Sequence, residues 1–203
     1  MTENPSHRTV SCVDNVMERA YELALVRRLK DRDLAAFDEI YEAFRARLYS
    51  FLVRLTRRRD LAEELLQETW MRLAARGHLL RDDTRLCAWL FTVAHNLFAS
   101  YCRNRSLDAE RIGELGRMDP PATPSPFELA ASSETERRLE RAIAALPAHY
   151  REALLLAAEG FAHDDAALIC EVRPEAFRKR LSRARERVSA TLRQPGGYHG
   201  TGN

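Results

Sequence analysis

The sequence lacks the segments that carry a protein into or across a membrane. Its first residues, MTENPSHRTVSCVDNV, do not place an apolar run behind a basic start, as a secretory signal would. Nowhere do about 18 apolar residues follow one another, which is the length that a membrane-spanning helix needs. We therefore expect a cytoplasmic protein that inserts into no membrane.

Cysteine is scarce, and the residue patterns of enzyme and metal sites are absent. Cys12, Cys87, Cys102 and Cys170 are widely spaced and form no CxxC pair, which is typical of free thiols in a reducing compartment. His163 and Cys170 lie on one expected helix, but without a second ligand pair a packing cysteine is the preferred interpretation. Because no nucleophile, phosphate loop or metal motif is present, we expect no enzyme activity, no cofactor and no metal.

Neither sign of charge dominates the chain. Its 32 Lys and Arg residues against 30 Asp and Glu residues leave a formal net charge of +2. A surface for nucleic acid would therefore require local segregation of charge. With 45% hydrophobic residues, the chain can bury a core, which argues against global disorder.

Strand-like alternation is absent, and apolar residues recur instead three and four positions apart, which predicts helices. We expect a first helix from Glu18 to Lys30 and a long one from Asp33 to about Thr56. A third runs from Asp60 to just before Gly77, and a fourth runs from Arg85 to about Arg105 after a loop. Four such helices suffice for a small bundle.

Glycines and prolines interrupt the helical pattern between Ser106 and Ser133, where Gly113 and Gly116 precede the run DPPATPSP. We interpret this stretch as a flexible linker. Beyond it, one helix is expected from Glu134 to Leu146, and Pro147 opens another to Glu159. The predicted fold is all-α, with helical domains at 18–105 and 134–193, a linker at 106–133, and disordered tails at 1–17 and 194–203.

The last two expected helices have the spacing of a DNA-binding helix-turn-helix. A short helix, from His163 to Cys170, meets a turn at 171–173 and a longer helix that begins at Pro174. Glu171 would be strained if that turn needs a positive φ angle. The residues predicted to pack the two helices together are Ala166, Ile169, Val172, Phe177 and Leu181. The residues predicted to point outward to DNA are Arg173, Glu175, Ala176, Arg178, Lys179, Ser182 and Arg183.

Charge is segregated in this second helix, where residues 175–193 carry seven Lys or Arg residues against two Glu. Guanidinium groups there can bind guanine edges in the major groove or neutralise phosphates. The alternative interpretation is a basic helix that is only solvated or that binds a protein partner.

Several ordered motifs together resemble the extracytoplasmic-function (ECF) group of bacterial RNA polymerase sigma factors. DLAEELLQETWMRL looks like the polymerase-binding helix of the group and RLCAWLFTVAHNLFASYCRNR like its promoter-melting helix. LPAHYREALLLAAEGFAHDDAALICEVRPEAFRKRLSRARERV is similar to its second DNA-binding domain. The resemblance covers nearly everything from Glu22 to Leu192.

The resemblance implies a factor that binds core RNA polymerase, recognises promoter DNA near −35 and −10, and melts the duplex. The −35 element would meet the outward face of the helix-turn-helix. The residues implied to contact and melt the −10 element are Thr92, His95, Asn96, Ala99, Arg103 and Arg105. The loop implied to receive a base swung out of the stack comprises Gly77, His78, Leu79, Leu80 and Arg81, and the neighbouring Asp82 and Asp83 would repel phosphates. The residues implied to bind core polymerase are Asp60, Glu63, Glu64, Gln67, Glu68 and Arg72.

The same resemblance implies control by an anti-sigma factor. Two alternatives to a sigma factor stay open on the residues: a free-standing helix-turn-helix regulator, and a sigma mimic that only binds other proteins. Trp70 and Trp89 could be stacking platforms for bases, but both fall on apolar faces and are expected in the core.

Overall fold

The computed structural model describes residues 19–112 and 133–193, with side chains for 19–106 and 133–193. Within these ranges the protein is helical and contains no strand. The helices are α1 Arg19–Lys30, α2 Leu34–Thr56, α3 Arg59–Arg76, α4 Leu86–Ile112, α5 Glu134–Ala144, α6 Ala148–Ala158, α7 His163–Ile169 and α8 Pro174–Arg193. Both expected tails and most of the expected linker lie outside the described residues.

The first half is a bundle of α1 to α4 in which α3 packs against both α2 and α4. Asp33 caps α2 by accepting a hydrogen bond from the backbone N–H of Ala35 at 2.9 Å. Phe44 and Phe51 on α2 are fully buried in the bundle. The amphipathic pattern of the sequence therefore predicts the helices of this half and the side of each that faces the core.

Helix α4 continues to Ile112, beyond the end at about Arg105 that the sequence analysis expected. The expected linker therefore begins too early at Ser106. The reason lies in the segment SLDAERI, which contains no glycine or proline and is followed by Gly113.

The second half comprises α5 to α8, with α8 packed across α5, α6 and α7. Helix α5 begins with a capping box: the Ser133 hydroxyl accepts from the Glu136 N–H at 3.1 Å, and the Glu136 carboxylate accepts from the Ser133 N–H at 3.2 Å. Helix α5 ends at Ala144, slightly before the expected Leu146, and Pro147 precedes α6 as predicted. A small cluster of Ala142, Leu146, Ala184 and Val188 joins α5 to α8.

The two halves share one hydrophobic core. Phe91 of α4 contacts Phe51 of α2 and Phe161, which precedes α7, with ring centroids 5.0 Å apart in both pairs. Helix α2 also packs against α6, and α4 against α7. The sequence analysis anticipated two joined domains but not this contact. No helix within the described ranges has both the length and the apolar character needed to cross a membrane.

The turn of the helix-turn-helix has a positive φ angle, the condition under which the sequence analysis expected strain at Glu171. Glu171 has φ 52°, in the left-handed region. Its N–H donates to the Leu168 carbonyl at 3.1 Å and the Val172 N–H donates to the Ala167 carbonyl at 3.0 Å, which ends α7. A side chain at this φ is strained, because its Cβ crowds the backbone.

Replacing Glu171 with glycine should therefore stabilise the protein by about 0.5 to 1 kcal/mol, since glycine tolerates this φ and loses only part of that gain to chain entropy. The measurement is urea unfolding followed by circular dichroism. Glu175→Gly, the same exchange inside α8, is the matched control and should destabilise by about 0.5 to 1 kcal/mol. Equal destabilisation by both variants would contradict the assignment of strain to Glu171.

Candidate nucleic-acid and polymerase interfaces

The helix-turn-helix packs in the register predicted from the sequence. Ala166, Ile169, Phe177 and Leu181 are buried and Val172 is half-buried. On the outward face, Ala176 is half-buried, and the exposed residues are Arg173, Glu175, Arg178, Lys179, Ser182 and Arg183. The start of α8 therefore presents a largely exposed, basic surface on a well-packed support.

Several side chains on this surface are held by neighbours. Arg178 lies 3.5 Å from Glu175 and 3.8 Å from Asp164, in exposed ion pairs that water and salt weaken. Arg183 donates to the Tyr150 hydroxyl at 3.3 Å. The guanidinium carbon of Arg187 lies 5.0 Å from the centre of the same ring. Sequence reasoning counted Arg187 in the basic segment but missed Tyr150, because Tyr150 reaches α8 only through tertiary packing.

The predicted −10 face of α4 is only partly accessible. Arg103 and Arg105 are exposed, and they donate to the Ser100 hydroxyl at 2.9 Å and the Tyr101 hydroxyl at 3.0 Å. Thr92, Asn96 and Ala99 are half-buried. The Thr92 hydroxyl donates back to the Ala88 carbonyl at 2.8 Å.

His95 is the predicted −10 residue that the structure removes from solvent. It is 9% exposed, and its Nδ1 lies 2.6 Å from Oε1 of Glu152, which is 5% exposed on α6. In this arrangement the second half of the chain covers the ring, so contact of His95 with the −10 element stays a prediction that requires the two halves to separate. Sequence reasoning missed Glu152, whose partner lies 57 positions away.

The loop between α3 and α4 is open at three of its five candidate residues. Leu79 and Arg81 are exposed and His78 is half-buried, whereas Leu80 is buried. Gly77 is also buried, and a Cβ there would lie 2.7 Å from Cδ2 of Leu29. In this arrangement Gly77 and Leu80 support the loop from within and offer no surface to a base.

The two aspartates beside this loop are paired with cations. Lys30 binds the Asp82 carboxylate, and Nε of Arg81 lies 3.0 Å from Oδ1 of Asp83. Hydrogen bonds to these cations hold the pKa of both carboxyl groups below the usual value. Arg19 also donates to the Asp83 carbonyl at 2.8 Å. Repulsion of phosphate by these aspartates is therefore reduced.

The predicted polymerase-binding face of α3 is presented to solvent. Asp60, Glu63, Glu64 and Gln67 are exposed, while Glu68 and Arg72 are half-buried. Glu68 accepts from Arg72 at 3.1 Å. Glu64 is exposed one turn before Glu68 on the same helix, and the two carboxylates carry the same charge.

An apolar groove of about 450 Å³ runs beside this face, between α2 and α3. Its lining includes Tyr41, Tyr49 and Trp70, with Glu63 at its margin. Met71 also lines it and is 57% exposed. The acidic side chain of Glu63 therefore meets an apolar surface here.

Both tryptophans lie as expected in or against the core. Trp70 is buried, and its ring centroid lies 5.0 Å from that of Tyr41. Trp89 is half-buried and packs against the same core.

Three ion pairs surround the contact between the two halves. Arg47 lies 3.1 Å from Glu159, and Arg54 lies 2.9 Å from Glu140. Arg85 lies 2.9 Å from Asp165. In each pair an arginine of the first half meets a carboxylate of the second, so the two surfaces are complementary in charge.

Comparison with known proteins identifies the family. The family model of Sigma-70 region 2 matches residues 40–107, and that of Sigma-70, region 4 matches residues 136–188. The ECF RNA polymerase sigma factor SigM of Bacillus subtilis (strain 168) is 35% identical over 155 residues, covering 75% of this chain and 93% of SigM. The chain belongs to the ECF RNA polymerase sigma factors.

Further relatives agree with this sigma-factor assignment. The ECF RNA polymerase sigma factor EcfG of Rhodopseudomonas palustris (strain TIE-1) is 36% identical over 146 residues, covering 71% of this chain and 78% of EcfG. The solved structure of the sigma factor RpoE with the anti-sigma factor NepR from Bartonella quintana matches with a TM-score of 0.64 at 30% identity, covering 77% of this chain and 96% of that one.

CnrH, solved with the cytosolic domain of CnrY, shares the fold of this sigma factor at 19% identity, with a TM-score of 0.62 and coverage of 84% of this chain and 96% of that one. The curated relatives are sigma factors, which are transcription regulators rather than enzymes.

We expect the Arg54–Glu140 ion pair to help hold the two halves of this sigma factor together. Arg54→Glu should weaken their contact by about 1 to 3 kcal/mol, because it places two carboxylates together in a half-buried position. Small-angle scattering should then give a larger radius of gyration. Adding Glu140→Arg should restore the wild-type value, and failure of this reversal would exclude the pair as a determinant of closure.

Proposed function

We propose that this sigma factor acts in the cytoplasm, binds core RNA polymerase through α3, contacts the −35 element with α8 and the −10 element with α4, and promotes DNA melting. The observation that carries the proposal is the exposed basic face of α8, backed by a buried packing face. An amphipathic helix of this kind can lie in a major groove with its arginines toward bases and phosphates.

The position of each arginine along α8 indicates whether it would contact a base or a phosphate. Arg173 and Arg178 lie at the start of the helix, the part nearest to base edges when such a helix enters the groove. Arg183 and Arg187 lie beyond it and are ordered by Tyr150. We assign these two to phosphates, because an arginine fixed against a neighbouring side chain loses less freedom on binding.

The −10 contact requires the halves to separate. Asn96 can form a bidentate bond to adenine, and Arg103 and Arg105 can hold phosphates. Because His95 on the same helix is covered by Glu152, promoter engagement would expose it. Of the candidate loop, His78, Leu79 and Arg81 are the residues open to a flipped base.

The polymerase contact combines charge with apolar area. Glu63 and Gln67 line the groove that also contains Trp70 and Met71. A basic helical partner could meet the carboxylates while its apolar residues enter the groove, which would give affinity and orientation together.

An anti-sigma factor is the proposed inhibitor. The support is the likeness to Bartonella RpoE, which was solved in complex with the anti-sigma factor NepR. A partner of this class would hold the sigma factor away from core polymerase until a signal releases it.

The decisive test is transcription by core polymerase reconstituted with the purified chain, with start sites identified by sequencing. Defined start sites support the proposal. A chain that binds an operator alone as a dimer, or that binds polymerase without directing it, would instead be a regulator or a sigma mimic.

In a measurement of DNA binding with the same reconstituted polymerase, Arg178→Ala and Lys179→Ala should each weaken binding to the −35 element by about 1 to 3 kcal/mol. A base-reading side chain should change sequence preference, whereas a phosphate contact should lower the salt dependence. Arg45→Ala, an exposed arginine on α2 paired with Glu42, is the matched control and should leave binding unchanged. If both α8 variants bind as the wild type does, the assigned register of α8 is wrong.

Glu64→Lys with Glu68→Lys should weaken core polymerase binding about tenfold or more, because two attractive charges become repulsive. Binding of the free sigma factor to −35 DNA should not decrease. Glu42→Lys, on α2, tests whether any acidic exchange has this effect. Undiminished polymerase affinity in the double variant would exclude this face as the contact.

A further inference from the structure

Three side chains that bind metals in many proteins meet at the seam between the two halves. They are His95 of α4, Glu152 of α6 and Cys170 at the end of α7, and one ligand atom from each lies within 4.8 Å of the others. All three are buried, with relative exposures of 9%, 5% and 5%. They come from three helices, so tertiary packing alone assembles them.

Chemically, this set suits a zinc-like cation. Imidazole nitrogen, carboxylate oxygen and thiolate sulfur are the ligands of protein zinc sites, at bond lengths of about 2.0 to 2.3 Å. Tetrahedral ligands at these lengths are about 3.3 to 3.8 Å apart, so the observed spacing needs only small movements of side chains. One carboxylate and one thiolate would also balance the charge of a dication.

We propose that His95, Glu152 and Cys170 form a binding site for a zinc-like divalent cation that fastens the two halves of the chain together. A solvent molecule can complete a tetrahedral shell around three protein ligands. The sequence analysis expected no metal and considered His163 beside Cys170; His163 is exposed and outside this cluster.

Binding of a cation would remove the proton from the Cys170 thiol. Burial, assisted by the Glu152 carboxylate, raises the pKa of the Cys170 thiol and keeps it protonated without a cation. A dication reverses that preference, so the sulfur–metal bond forms as the thiol proton leaves to solvent. Cation binding therefore releases protons and strengthens as pH rises.

A cation at this site would affect promoter binding because the site joins α4 to the second half of the chain. His95 belongs to the helix proposed above to contact the −10 element, and a cation would bind it to α6 and the helix-turn-helix half. Closure would then depend on the supply of the cation. This consequence rests on the proposed function, whereas cation binding itself does not.

The experiment titrates the full-length chain with Co²⁺, whose thiolate complexes show a charge-transfer absorption in the near ultraviolet. We expect this band to saturate at one Co²⁺ per chain, to disappear when Zn²⁺ is added, and to appear with proton release. Cys170→Ser should abolish the band, and Glu152→Gln and His95→Gln should weaken binding tenfold or more. Cys87→Ser removes another thiol, on α4, and should leave the titration unchanged.

A second measurement on the wild-type chain needs no substitution. Zn²⁺ should slow alkylation of Cys170 at least tenfold and should not slow that of Cys87, as mass spectrometry of digests can measure. Absence of the Co²⁺ band, its persistence in Cys170→Ser, or equal protection of both thiols would overturn the proposal. Neither readout uses polymerase or promoter DNA, so failure of the site and failure of the proposed sigma activity are distinguishable.

Discussion

The contact of Phe161 with Phe91 is the interaction on which the arrangement of the two halves depends. Phe91 already packs on Phe51 inside the first half, so Phe161 extends that core across the seam. Burying a phenylalanine contributes about 1.5 to 3 kcal/mol. Because Phe161 lies between α6 and α7, its position also fixes where Glu152 and Asp165 meet the first half. The surrounding ion pairs then set the orientation of one half on the other.

The two surfaces proposed to contact DNA differ in their exposure in this arrangement. The basic face of α8 remains exposed, while part of the α4 face is covered by α6 and α7. A promoter could therefore meet the helix-turn-helix first, before the halves separate. Opening would expose the apolar seam and rehydrate the charges, so its net cost is smaller than the sum of the broken contacts. Binding to polymerase and DNA can offset such a cost.

The helix positions that the sequence predicted correctly depend on signals between residues close together in the chain. Pro147, Pro174 and the spacing of apolar residues located helices, because a proline at a helix start and hydrophobic periodicity act over one or two turns. The outward residues of α8 followed from the same periodicity. The end of α4 was set too early because the segment from Ser106 to Ile112 contains no glycine or proline to stop a helix. The partner of His95 could not be predicted, since no local pattern links positions that only tertiary packing brings together.

The identity of residue 95 matters physically for closure. An arginine at this position would stay charged under all physiological conditions. Burying it against the second half would require removing water from a permanent cation. An imidazole can be neutral or charged, can share a proton with a carboxylate and can bind a metal. Histidine therefore lets α4 close against Glu152 at less cost than arginine would, in a buried contact between Nδ1 and the carboxylate.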